Sequence, residues 1–415
     1  MNCWRKHWGR VMSESGKTLV PKLRFPEFQQ APEWRADLLK NISPSIFDGT
    51  HQTPRYTENG IPFFSVENII SGNKNKFISL DDHKTATSKN KPEQGDILIT
   101  RIGNIGFSTI INWDYEFSIY VTLAVIKKSD KFIPYYLHSY FQSGRYQSEI
   151  LKKSLLNAVP CKINMDELRA TEVLLPPGKI EQQKIADCLS SIDELITAQT
   201  QKIAALKEHK KGLMQQLFPA EGETTPKLRF PEFQDTGEWE SHIISDLAKV
   251  TTGNKDTQNK VDDGDYPFFV RSQTVERINS FTYDGEAILT SGDGVGVGKN
   301  FHYIIGKFDF HQRVYCIYNF KKDVFGKFIY LYFSEHFYRR VMQFNAKNSV
   351  DSVRMSAITE MPVMLPKYEE QQKIADCLSS IDELISAQTN KIAALKNHKK
   401  GLMQQLFPNT DEVGE

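Results

Sequence analysis

Polar side chains able to make specific hydrogen bonds gather at a few places along the chain, and each place lies beside an apolar run. The segment GTHQTPRYTENG at 49–60 sets His51, Gln52, Arg55 and Asn59 in a turn-forming stretch before the run IPFFSV. Arg101 and Asn104 follow the run GDILIT in TRIGNIG. In the second half Arg271 stands in YPFFVRSQTV, Asp293 and Lys299 in SGDGVGVGK, and His311, Gln312 and Arg313 in one strand-like stretch. Guanidinium to guanine, amide to adenine and carboxylate to cytosine are the base-edge pairings that geometry allows. That makes His51, Gln52, Arg55, Arg101, Asn104, Arg271, Asp293, Lys299, His311 and Arg313 the candidates for contact with DNA. The competing reading is structural: solvated loops, and edge-strand polar groups at 311–313 satisfied within the fold.

Other chemistry finds less support. SGDGVGVGK looks like a phosphate loop, but Asp293 stands where its first glycine belongs and Asn300 where Ser or Thr is needed. Two readings stay open for this loop and for TRIGNIG: a backbone that approaches phosphate or a base edge, or a simple turn. No HExxH, GxSxG or target-base motif of an amino-methyltransferase is present, LPPG at 175–178 being a poor relative of the last. No catalytic residue is expected. The cysteines Cys3, Cys161, Cys188, Cys316 and Cys377 form no CxxC pair and no zinc spacing, so no metal site is expected and a reducing, cytoplasmic setting is. The net charge of +1 confines any basic footprint to local patches. No apolar run reaches the ~18 residues of a membrane span.

The elements that position these residues come in two copies. EQQKIADCLSSIDELITAQTQKIAALKEHKKGLMQQLFP at 181–219 returns at 370–408, with Thr197, Gln201 and Glu208 replaced by Ser386, Asn390 and Asn397. PKLRFPEFQ stands at 21–29 and again at 226–234. Within the long block Ile185, Leu189, Ile192, Ile196, Ile203, Leu206, Leu213 and Leu217 fall on alternating steps of four and three. Ile374, Leu378, Ile381, Ile385, Ile392, Leu395, Leu402 and Leu406 repeat the pattern. This is a coiled-coil seam. Pro176 and Pro177 upstream and Pro219 downstream allow a helix of roughly 36 residues, about 54 Å long. Gln199, Lys210, Gln388 and Lys399 are the polar seam members, expected to fix register by meeting their counterparts across the interface. Pairing within the chain is favoured by high effective concentration. Lys202, Lys207, Lys210 and Lys211, with Lys391, Lys396, Lys399 and Lys400, are read as exposed faces that either dock a partner or stay solvated.

The stretches between the repeats differ in sequence but share a plan. IPFFSVENII at 61–70 and YPFFVRSQTV at 266–275 lie at the same offset as the short repeats, and GDILITRIGNIG at 95–106 answers GEAILTSGDGVG at 285–296. WDYEFSIYVTLAVI and FDFHQRVYCIYNF read as alternating strands, and FIPYYLHSYFQS and FGKFIYLYFSEHF as amphipathic helices. The two inserts are expected to share one fold, with specificity in their differing polar loops.

Tandem unlike inserts separated by near-identical helices, with DGTHQTPRYTENGIPFFSVENI, GDILITRIGNIG and the doubled helix opening KIEQQKIADCLSSIDELI, resemble the DNA-specificity subunit of type I restriction-modification systems. The resemblance spans about 21–408 and implies an α+β protein. Two globular target-recognition domains with mixed β-sheet are separated by two long helices in an antiparallel coiled coil, a pseudo-twofold tandem repeat. The implied boundaries are a disordered N-terminal extension at 1–20 (Met12 reading as a self-sufficient start), recognition domains at 21–178 and 220–367, spacer helices at 179–219 and 368–408, and a tail at 409–415. Each domain would read half of a bipartite, asymmetric site on double-stranded DNA. The implied partners are two methyltransferase subunits and the restriction and translocase subunits, and no membrane. No cofactor is expected on this chain; S-adenosylmethionine, ATP and Mg²⁺ would sit on the partners. Half-sites one DNA turn apart need readers about 34–36 Å apart, which favours the antiparallel pairing. A related type II-like specificity subunit and a coiled-coil protein–protein adaptor are the rival readings.

Overall fold

The computed structural model describes residues 19–344 and 352–408. The expected N-terminal extension, up to residue 18, and the tail from residue 409 lie outside the described residues. The chain divides into two units, Met1–Gln199 with Lys391–Glu415, and Thr200–Asn390. Both long helices, Lys179–Leu217 and Tyr368–Leu406, cross from one unit into the other.

In the first unit the strand Ile97–Thr100, buried along its whole length, lies between Leu123–Ile126 and Ser108–Ile110, and Ile46–Asp48 completes an all-antiparallel sheet. A second small sheet holds Ile61–Phe64, which pairs antiparallel with Phe77–Ile78 and parallel with Ser118–Ile119. WDYEFSIYVTLAVI is therefore not one strand. Its first part, 113–117, leaves the sheet because Trp113 and Phe117 pack on Phe64, with Tyr115 stacked on Trp113, as an aromatic cluster of their own.

The second unit has one six-stranded sheet in the order Lys249–Thr252, Val314–Tyr318, Tyr283–Ser291, Phe301–Phe310, Tyr266–Phe269, Val275–Ile278. Its parallel pairing of Phe268 with Asp309 and Phe269 with Phe310 matches Phe63 with Ser118 and Phe64 with Ile119 in the first unit. Gly49 and Gly253 occupy the same corner of the two units. A Cβ at either would lie about 2 Å from the carbonyl oxygen of Ile119 or Phe310, so only glycine lets the chain cross there.

The long helices are built into these cores. Ile185, Ala186 and Leu189 share the first unit's core with Leu406 and Phe407, and Met214, Leu217 and Phe218 share the second unit's core with Ile374, Ala375 and Leu378. Within each unit the start of one helix therefore meets the end of the other, which is antiparallel pairing. The seam residues between, Ile196, Ile203, Leu206, Ile385, Ile392 and Leu395, are half-buried, as two helices alone can make them.

The short repeats tie the helix ends down. Arg24 makes a bidentate pair with the buried Glu181 (2.8 Å to each oxygen), and Arg229 does the same with Glu370 (2.8 and 2.7 Å). The residue before each arginine also catches the last turn of a helix: Leu23 N donates to Gln405 O at 3.0 Å, and Leu228 N to Gln216 O at 2.9 Å.

The polar seam members do not meet their counterparts. Lys210 pairs with Asp382 and Lys399 with Asp193, all at 2.7 Å. An aspartate beside the seam supplies the opposite charge that a second lysine or a glutamine cannot. Lys210 and Lys399 are thereby removed from the exposed faces, on which Lys202, Lys207, Lys211, Lys391, Lys396 and Lys400 remain. Gln199 and Gln388 bury their amide oxygens without a hydrogen-bond partner among the described residues.

Candidate nucleic-acid interface

In the first unit the candidates converge on Asp48, at the end of a sheet strand. His51 Nε2 lies 3.0 Å from Asp48 Oδ2, and Arg101 Nη1 donates to the same oxygen at 3.0 Å. Their fates differ. His51 is exposed, whereas Arg101 is 6% exposed and also donates to the carbonyls of Val121 (2.9 Å) and Ile163 (3.3 Å). Burial lowers the pKa of its guanidinium, with Asp48 opposing that shift. Arg101 was expected at a base edge; its Nη1 and Nε hydrogen bonds run into the fold, where they lock a strand end to the segment after 160.

Gln52, Arg55 and Asn104 are exposed. His51, Gln52 and Arg55 line an open cleft of about 660 Å³ whose far wall carries Ser88, Lys89 and Asn90. Lys89 and Asn90 lie in a polar stretch with no apolar periodicity, which is why sequence reasoning passed over them. Asn104 sits at the tip of the turn joining Ile97–Thr100 to Ser108–Ile110.

In the second unit Asp293 is the hub. Arg271 Nη1 donates to its Oδ1 at 3.1 Å, and Arg313 Nε stands 3.7 Å from its Oδ2. Both arginines keep donors in solvent, Arg313 being two-thirds exposed. Asp293 and Arg313 line a cleft of about 610 Å³ together with Gln312 and Arg354. His311 lies beneath, buried, with its Nδ1 accepting from Arg313 N at 2.9 Å; burial first, then Arg271, lowers its pKa. It orients the arginine backbone and is not itself a surface reader. Lys299 is exposed, its ammonium 5.9 Å from the centre of the Tyr338 ring.

The glycine loop between Asp293 and Lys299 is a turn. Val297 N donates to Gly294 O, and Lys299 N and Asn300 N to Gly296 O, so these donors are not free to cradle phosphate. Asn300, whose presence spoiled the phosphate-loop pattern, holds the loop by donating to Arg271 O at 3.0 Å. A Cβ on Gly296 would lie 2.0 Å from that amide.

Each unit thus presents, at the equivalent corner of one shared fold, an acidic hub with cationic and amide groups around it. A tandem-domain binding protein is the class these features define. A family model of the type I restriction modification DNA specificity domain matches residues 49–208 and 236–397, and the chain belongs to that family. It is 31% identical over 145 residues to the type I restriction enzyme EcoDI specificity subunit of Escherichia coli, a match covering 35% of this chain and 31% of that one. It is 25% identical to a putative type I restriction enzyme MjaX specificity subunit of Methanocaldococcus jannaschii, over 92% of this chain and 94% of that one. Among solved structures, the type I restriction-modification system S subunit from M. genitalium shares the fold, with a TM-score of 0.64 at 13% identity, covering 94% of this chain and all of that one.

Proposed function

We propose that this chain is the DNA-reading subunit of a type I restriction-modification complex, each unit reading one half of a bipartite, asymmetric site on double-stranded DNA. The observation that carries this is the pairing of sameness and difference. The helices, the arginine–glutamate anchors and the sheet plan repeat, while the polar groups at the equivalent corner do not: His51, Gln52, Arg55 and Asn104 in one unit, Arg271, Asp293, Lys299 and Arg313 in the other. Two unlike readers on like scaffolds suit two unlike half-sites.

The repeated lysine faces of the helices give two copies of one methyltransferase subunit equivalent places to dock, and the helix length sets the half-site spacing. The chain performs no catalysis itself. S-adenosylmethionine belongs to the methyltransferase subunits, ATP and Mg²⁺ to the restriction and translocase subunits, and the complex works in the cytoplasm. Co-expression with the methyltransferase subunit, followed by mapping of adenine methylation across host DNA, tests the reading. A single bipartite, asymmetric methylated sequence is expected; a stable complex whose methylation follows no such sequence overturns it.

A further inference from the structure

Residues 153–162 of the first unit form a projection that the fold spends hydrogen bonds to hold. Leu155 N donates to Lys162 O at 2.7 Å and Lys162 N to Leu155 O at 3.3 Å, closing the loop at its base. The base is fastened to the glycine turn, Gly103 N to Cys161 O at 2.8 Å, and to the Arg101 strand end, Ile163 N to Arg101 O at 2.9 Å. Yet the tip is aliphatic and uncovered: Leu155 is 49% exposed, Leu156 58% and Val159 100%. Three large aliphatic groups together in water, on a base this well tied, are unfavourable unless something covers them.

The surroundings indicate what. From residue 151 to 162, LKKSLLNAVPCK, there is no carboxylate; of its three lysines Lys152 is exposed, Lys162 is half-buried, and Lys153 is paired with Glu149 and Glu167 of the flanking helices (3.7 and 3.9 Å). Through Arg101 and Asp48 the loop is continuous with His51 and the polar cleft, and through Gly103 with Asn104. An exposed ammonium beside an aliphatic point matches a polyanion with an apolar interior, which is stacked bases between phosphates. The second unit carries an exposed aliphatic at its own glycine turn: Val295, 95% exposed, two residues from Asp293 with its two arginines.

We propose that residues 155–159 act as a wedge, Leu156 and Val159 entering a DNA groove and prising apart one base step while Lys152 holds a flanking phosphate. This rests on the DNA-reading function above. It adds a recognition mode, because the cost of unstacking depends on the step and therefore selects sequence without a base-edge hydrogen bond.

The test uses the full chain in complex with its methyltransferase subunits, and duplexes of the methylated sequence with 2-aminopurine placed at each position in turn. Wild type is expected to raise the fluorescence at one step of one half-site. The Leu156→Ala/Val159→Ala double variant is expected to lose that signal and about tenfold in affinity, with an unchanged melting temperature because both side chains are solvent-exposed. Wild-type affinity in the variant, or no fluorescent step in wild type, overturns the wedge and leaves DNA reading intact. Failure of the variant to retain the methyltransferase subunit overturns it in favour of a protein-docking loop. Absence of any bipartite methylated sequence in wild type removes the underlying function and the wedge together.

Discussion

The two units carry the same helix sequences into different surroundings, and the seam ion pairs register the difference. In the first unit Lys399–Asp193 is flanked by Tyr135, which donates to Asp193, and by His138. In the second unit Lys210–Asp382 is flanked by Lys327 and Tyr330, and the Lys327 pKa is lowered, by burial first. The anchors differ as well. Glu181 accepts from both Arg24 and Trp34 Nε1 (3.1 Å), whereas Glu370 receives Arg229 and the Trp239 ring nitrogen is buried without a partner among the described residues. The sheet is split around 111–117 in one unit and runs through Phe301–Phe310 in the other. Identical sequence therefore fixes which groups meet, while neighbouring unlike sequence sets how strongly each contact is stabilised.

The sharpest break of this comparison is at the anchors. Removing one partner of a buried ion pair strands the other charge, so Glu181→Ala is expected to cost about 3–5 kcal/mol of unit stability. Glu370→Ala should cost less, since no tryptophan donor is orphaned with Arg229. Denaturant unfolding of each variant measures both, and equal losses would dissolve the asymmetry.

His138 gives the next largest contrast. Burial pushes its pKa down to about 4, with Lys399 adding to the shift and Asp193 opposing it. Gln142 Nε2 approaches its Nε2 at 2.7 Å as donor, and Nδ1 then donates to Ser108 Oγ at 2.9 Å, a pattern that requires the neutral ring. The unfolded chain, with a histidine pKa near 6.5, binds the proton first, so stability falls as pH drops below about 6.5. The loss is complete near pH 4 and is on the order of 3 kcal/mol. Melting of wild type and His138→Gln between pH 7 and pH 4 reads it; parallel pH profiles would show that His138 is not responsible. The second unit has Tyr330 there and should lack this component.

The arginines separate structure from reading. Arg101→Ala should cost about 2–4 kcal/mol of stability, because it empties a buried site and strands Asp48. Arg313→Ala should leave stability unchanged, and should cost about 1–3 kcal/mol of discrimination at one position of one half-site. Binding competition with single-base variants decides it; equal weakening on all DNA would make Arg313 a phosphate contact. The smallest effect is expected at the second seam pair. Lys210→Met loses an ion pair but relieves repulsion on Lys327, a net change of about 1 kcal/mol or less, against a larger loss for Lys399→Met.

Much was legible in the residues themselves. Step-of-three-and-four spacing marked both long helices because burial on a helix follows its turn, and the common offset of 205 between short repeats and apolar runs marked the duplicated fold. The exposure of His51, Gln52, Arg55 and Asn104 was also visible, since polar residues in turn-rich sequence tend to stay at the surface. What the sequence could not disclose was where a charge would be spent. Arg101 and Arg313 look alike as residues beside apolar runs. Only the folded chain brings Asp48 and two carbonyls to the first and leaves the second two-thirds in solvent. Lys210 and Asp382 lie 172 residues apart, and Arg24 and Glu181 lie 157 apart. Helical periodicity is a local property and can be read one turn at a time. Pairing across such separations depends on which surfaces the whole chain closes together, and that is settled only by tertiary packing.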